Sequence, residues 1–127
     1  MSDKAKILIL DDEPIVGKRL GPALEKNGFE VEAFLDPALA LARLKEQDFD
    51  IVVTDQTMPG LTGLQLAGRI RRLNPHVPVI LCTGYTPGIS KAELREAGRC
   101  HLAAKPLEPT RLSQIIQTVL HHATTRD

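Results

Sequence analysis

Five short apolar runs, set apart by stretches with helical spacing, constrain this chain more than any other feature. They are Ile7-Leu8-Ile9-Leu10, a run near Phe29 to Phe34, Ile51-Val52-Val53-Thr54, Val79-Ile80-Leu81-Cys82, and a run ending Leu102-Ala103-Ala104. Short apolar runs that alternate with helical patterns read as parallel strands covered on both faces by helices. Five such units, joined by crossovers that are right-handed almost without exception, make an α/β chain of the (βα)5 type. The strand order favoured for that element count is 2-1-3-4-5, with a switch point between strands 1 and 3.

The punctuation between runs supports this reading. Strand 1 is expected over about Lys6 to Leu10. Helix 1 begins near Pro14, a residue suited to a first helical position, and ends at Asn27-Gly28, where the glycine fits a left-handed cap. Gly21-Pro22 falls inside it, yet Ile15, Val16, Leu20, Ala23 and Leu24 keep helical spacing across the proline. A kink near Lys18 to Pro22 is expected, not two helices. Strand 2 covers about Phe29 to Phe34, and Asp36-Pro37 reads as the N-cap and first turn of helix 2, which runs to about Glu46. Strand 3 is Ile51 to Thr54; Met58-Pro59-Gly60 is a turn; helix 3 runs from near Thr62 to Leu73, where Asn74-Pro75 stops it. Strand 4 is Val77 to Cys82, and Pro87-Gly88 precedes a short helix 4 from about Ser90 to Ala97, capped by Gly98. Strand 5 is about Cys100 to Ala103. Glu108-Pro109 opens helix 5, with Leu112, Ile115, Ile116, Val119 and Leu120 at helical spacing.

The 127 residues read as one domain, 1–127, with a core over about 5–122 and a short polar tail from Thr124 to Asp127. Sixteen basic and sixteen acidic side chains cancel, so charge points to neither nucleic acid nor an anionic membrane as a partner. Arg69, Arg71 and Arg72 read as a solvated helix face. No run approaches the roughly 20 apolar residues of a membrane helix, and Met1-Ser2-Asp3-Lys4 leads into a strand with no secretory pattern. Cys82 and Cys100 read as reduced thiols buried in strands. A cytoplasmic location is expected.

Four of the five runs end in a residue suited to phosphoryl chemistry: Asp11-Asp12, Asp55, Thr83 and Lys105-Pro106. Only the run near Phe29 to Phe34 lacks one. Taken singly, Asp11, Asp12 and Thr83 read as turn residues and Lys105 as a surface lysine, whereas Asp55 as an N-cap of helix 3 is disfavoured because Pro59 and Gly60 intervene. Ligand sites in parallel sheets, however, lie outside the carboxyl ends of the strands. Three carboxylates, a hydroxyl and an ammonium should therefore meet in one pocket. Crowded carboxylates stay ionised only around a cation, and an oxygen-ligand set with room for waters suits Mg2+.

Ile7-Leu8-Ile9-Leu10-Asp11-Asp12-Glu13-Pro14, Asp55-Gln56-Thr57-Met58-Pro59-Gly60, Cys82-Thr83-Gly84 and Lys105-Pro106-Leu107 resemble the four signature segments of response-regulator receiver domains, over about Lys6 to Leu120. Leu81-Cys82-Thr83-Gly84-Tyr85 is most similar to receivers attached to hybrid sensor histidine kinases. The resemblance implies a flavodoxin-like receiver fold with Asp55 as phosphoacceptor. Asp12, Asp55 and the main-chain carbonyl of Thr57 would bind Mg2+, or Mn2+ in its place, with Asp11 acting through water. Lys105 would pair with Asp55 and later with a phosphoryl oxygen. Thr83 would turn its hydroxyl onto that group, and the Lys105-Pro106 bond is expected to be cis. Where receivers usually carry Tyr or Phe three residues before the lysine, this chain has Leu102, which weakens that aromatic relay. Thr57 and Tyr85 hold the two positions that tend to tune phosphoryl lifetime in the family.

The function expected is that of a switch in a two-component pathway or phosphorelay, phosphorylated by a sensor histidine kinase or phosphotransfer protein and acting on an output partner not named by the sequence. It would catalyse only its own phosphotransfer and dephosphorylation. A homodimer through the face of helix 4, strand 5 and helix 5 is also expected as an option. The alternatives are a non-phosphorylated interaction module on the same fold and a Mg-dependent phosphohydrolase. A flavin site is disfavoured, because Asp11-Asp12-Glu13-Pro14 would repel a phosphate after strand 1.

Overall fold

The computed structural model describes residues 4–84 and 89–125, the last four by backbone alone. The elements alternate without exception: β1 (Lys6–Leu10), α1 (Pro14–Lys26), β2 (Glu30–Phe34), α2 (Pro37–Glu46), β3 (Ile51–Asp55), α3 (Gly63–Leu73), β4 (Val79–Thr83), α4 (Lys91–Glu96), β5 (Cys100–Ala104) and α5 (Pro109–Thr125). All strand pairs are parallel, in the order β2-β1-β3-β4-β5. This is the architecture the apolar runs predict.

Successive side chains of a strand point to opposite faces, and the two faces carry separate cores. Ile7, Ile9, Val53, Ile80 and Cys82 pack with Leu20 and Leu24 of α1 and Leu112, Ile116 and Val119 of α5. Leu8, Leu10, Val52, Val79 and Leu81 pack with Ala40 of α2 and Leu66, Ala67 and Ile70 of α3. Strands β3 and β4 are buried along their whole length, whereas the edge strands β2 and β5 are only partly covered. Each large aliphatic side chain removed from water contributes about 1.5–3 kcal/mol, so the central strands contribute more than the edge strands.

Local chemistry sets the helix ends. Asp36 Oδ1 accepts from Ala38 N, and Thr62 and Ser90 each form a capping box, with Gln65 and Glu93 respectively. Gly28 and Gly98 take positive φ, +93° and +96°, just past α1 and α4. α1 is one helix with Pro22 inside it. β4 starts at Val79, later than the sequence suggests, since Pro78 has no N–H to give the ladder. β3 and β4 each run one residue further than expected, through Asp55 and Thr83. The ladder persists there because Gln56 N donates to Cys82 O at 3.0 Å and Lys105 N donates to Thr83 O at 3.0 Å. Cys100 is half-buried rather than buried. Pro87-Gly88 lies outside the described residues.

Candidate functional site

Strand register gathers the polar ends. Leu10 is level with Thr54, Asp55 with Cys82, and Thr83 with Ala104. The residue after each level position therefore emerges at one rim: Asp11 beside Asp55, then Thr83, then Lys105. Asp11, Asp55 and Thr83 are buried, at 5%, 6% and 5% exposure. Asp12 is exposed, and so is Thr57.

Oxygens of Asp11, Asp12 and Asp55 all lie within 4.8 Å of one another. Lys105 Nζ stands 2.7 Å from Asp55 Oδ1. Asp11 Oδ1 accepts from Glu13 N at 2.9 Å, which fixes the turn between β1 and α1. Burial raises the Asp11 carboxyl above its ordinary range, and the charges of Asp55 and Asp12 push the same way against the Glu13 amide and Lys105. For Lys105, burial pulls the pKa down, but the hydrogen bond and charge of Asp55, with Asp11 behind it, leave it above the ordinary lysine value. The Lys105–Pro106 peptide is cis. A cavity of about 140 Å3 opens at this rim, lined among others by Asp11, Asp55, Lys105 and Cys82. Burial pushes the Cys82 thiol up to about 12, so it is a neutral wall of the cavity.

Three acid side chains sharing one small volume, two of them buried, form a donor set that a hard divalent cation fits: oxygen ligands and an open side facing solvent. The Lys105 ammonium can offset only part of their charge. The response regulator receiver domain family model matches residues 7–117. The chain belongs to that family.

This receiver is similar to the response regulator protein FleR of Pseudomonas aeruginosa, 33% identical over 88% of this chain and 24% of the relative. It is 30% identical to the transcriptional regulatory protein FixJ of Bradyrhizobium diazoefficiens, over 97% of this chain and 60% of that protein. The chain thus spans less than two thirds of either relative. The chemotaxis protein CheY4 of Vibrio cholerae superposes with a TM-score of 0.84 at 29% identity, covering 91% of this chain and 98% of that one.

Of the other positions singled out in the sequence, Leu102 is half-buried on β5 and packs against the α2/α3 core. Tyr85 lies outside the described residues. The receiver also uses residues that the sequence reading passed over. Thr54 Oγ1 donates to Asp55 O at 3.1 Å. Arg19 of α1 donates through Nη2 to Leu107 O at 2.9 Å, bracing the segment after Lys105. Gly63 stands where a Cβ would come within 2.6 Å of Asp55 O. Gln56 binds two amides of α3. The glycine after a Thr N-cap is a legible signal; Arg19 and Leu107 are 88 residues apart and leave none.

Among the described residues, no helix is long and apolar enough to cross a membrane.

Proposed function

We propose that Asp55 is the phosphoacceptor of this receiver, and that the chain is a switch driven by a sensor histidine kinase or a phosphotransfer protein. The reading rests on one observation: a buried carboxylate, 2.7 Å from Lys105 Nζ, shares its volume with Asp11 and Asp12. An Asp55 oxygen attacks the phosphorus of a phosphohistidine. The new P–O bond forms as the P–N bond breaks, and the electron pair of that bond leaves with the imidazole. Lys105 holds the Asp55 carboxylate in place at rest and then offers its ammonium to a phosphoryl oxygen. Thr83, buried at the end of β4 between Asp55 and Lys105, supplies a hydroxyl.

Mg2+, held by Asp12, Asp55 and the Thr57 carbonyl with Asp11 at one remove, would neutralise charge between nucleophile and phosphoryl group. Mn2+ would serve the same ligands. Phosphorylation adds about 1.5 to 2 negative charges at Asp55. It favours one of two arrangements of Thr83 at the end of β4, which an output partner or a second copy reads on the α4, β5 and α5 face. Leu102 replaces an aromatic ring there, so the reading passes through Thr83 and the backbone more than through a swinging side chain. Thr57 and Tyr85 set how fast water removes the phosphoryl group. The chain turns over no separate substrate.

The test is phosphorylation by acetyl phosphate with Mg2+, read by mass spectrometry. The parent should gain one phosphoryl group and Asp55→Asn none. Incorporation that survives the substitution places the acceptor elsewhere.

A further inference from the structure

An α-helix begins with backbone N–H groups that have no partner inside the helix. At α3 every one of the first three finds one. Thr62 Oγ1 accepts from Gln65 N at 3.1 Å, and Gln65 Oε1 in turn accepts from Thr62 N at 2.9 Å. The remaining two donors both go to Gln56: its carbonyl accepts from Gly63 N at 2.9 Å, and its Oε1 accepts from Leu64 N at 2.9 Å. Gln56 N meanwhile donates to Cys82 O at 3.0 Å, on the neighbouring strand. The residue directly after Asp55 is therefore held at three points, two on α3 and one on β4.

The contact is also as close as backbone allows. A Cβ on Gly63 would lie 2.6 Å from Asp55 O and 3.1 Å from Gln56 Cα. Helix α3 is anchored in turn by Leu66, Ala67 and Ile70, each 1% exposed. Gly63 and Leu64 thereby tie the peptide groups of Asp55 and Gln56 to that core.

We propose that Gln56 is a positioning residue for the phosphoacceptor loop, its side-chain amide oxygen locking residues 55–57 to the start of α3 so that the Asp55 carboxylate and the Thr57 carbonyl stand preset for a divalent cation. This rests on the receiver reading above. A bond that merely tidied a helix end would contribute stability and leave ion binding alone. A bond that orients ligands changes affinity in a folded protein, because partners behind the ligand shell typically control metal affinity by tenfold or more.

The experiment titrates MgCl2 into the 127-residue chain by calorimetry, with thermal melts in EDTA alongside. Gln56→Leu keeps the bulk and deletes the acceptor; Gln56→Glu keeps the acceptor at the same reach; Gln56→Asn stays polar but falls short of Leu64 N. Leu and Asn variants that are folded at the titration temperature should bind Mg2+ about tenfold more weakly than the parent. The Glu variant should stay within about threefold of it, and initial phosphorylation rates with acetyl phosphate should follow the same order. If Gln56→Leu does not fold, Gln56→Asn carries the comparison. Folded Leu or Asn variants that match the parent's affinity, or a Glu variant as weak as Leu, overturn the proposal while leaving the receiver reading intact. A parent that binds no Mg2+ overturns both.

Discussion

The two halves of the molecule around the site differ most in their helices: α3 is tightly held and α4 is not. On the acid side, β1 and β3 run buried into Asp11 and Asp55, and α3 closes over them with Leu66, Ala67 and Ile70 almost wholly covered and its first amides all bound. On the other side, α4 has six residues and buries none of them, and β5 is fully buried at Ala103 and half-buried at Cys100 and Leu102. Thr83 lies between the two, and Lys105 reaches from the end of β5 to Asp55. The contrast teaches where force can be absorbed. If Asp55 is the acceptor, as proposed above, a phosphoryl group there would meet a firm wall at α3 and a lightly anchored helix at α4, so rearrangement would go toward α4.

The strongest way to break this comparison is to truncate one matched side chain in each half. Ile70→Ala empties space in the α2/α3 core and should cost about 2–5 kcal/mol of unfolding free energy. Leu94→Ala, removing the half-buried side chain of α4, should cost under about 1.5 kcal/mol. Urea denaturation of the two variants gives both numbers. Equal losses would mean that α4 is as firmly held as α3.

The acid wall carries its own tension. Asp11 is buried with its pKa raised, chiefly by desolvation, beside the charge of Asp55. Its Oδ1 bond from Glu13 N can be kept by an amide oxygen. Asp11→Asn should therefore raise the stability of the metal-free chain at neutral pH by on the order of 1 kcal/mol, since one ionised group leaves a crowded site. The same variant should lose Mg2+ affinity by at least tenfold. Melting in EDTA and in excess MgCl2 separates the two effects. A variant less stable than the parent in EDTA would show that Lys105 already balances the cluster.

How far this division was legible in the sequence follows from what each half depends on. The five runs give strand order because short apolar segments with helical spacers leave few topologies. The rim follows because Asp11, Asp55, Thr83 and Lys105 each end a run. Caps at Asp36, Thr62 and Ser90 involve partners within a few residues, and such local chemistry shows in the string. Gln56 reaches Leu64 eight residues on, across a turn, and only the fold shows that the two meet. The weakness of α4 was hidden for another reason. Ser90 and Glu93 make a good helix start, but burial depends on what the neighbouring elements cover, and no periodicity in six residues reports that. Arg71 illustrates the same limit: its run of arginines reads as a solvated face, and the guanidinium is in fact engaged.

That engagement gives the smallest of the tests. Arg71 Nη1 donates to Glu96 O at 2.5 Å, at the last residue of α4, and its Cδ would lie 3.0 Å from a Cβ on Gly98. The side chain is a strap from the firm half to the loose one. Because it is exposed, its worth to global stability should be under about 1 kcal/mol. Its effect on α4 alone should be easier to see. Arg71→Ala should leave amide exchange in α3 unchanged and speed it several-fold in residues 91–97, while Arg71→Lys, which keeps the stem but not the fork, should fall between. If exchange in α4 does not respond, the strap is ornamental and the helix is held through Leu94 and Ala97, both of which pack on the α2/α3 core.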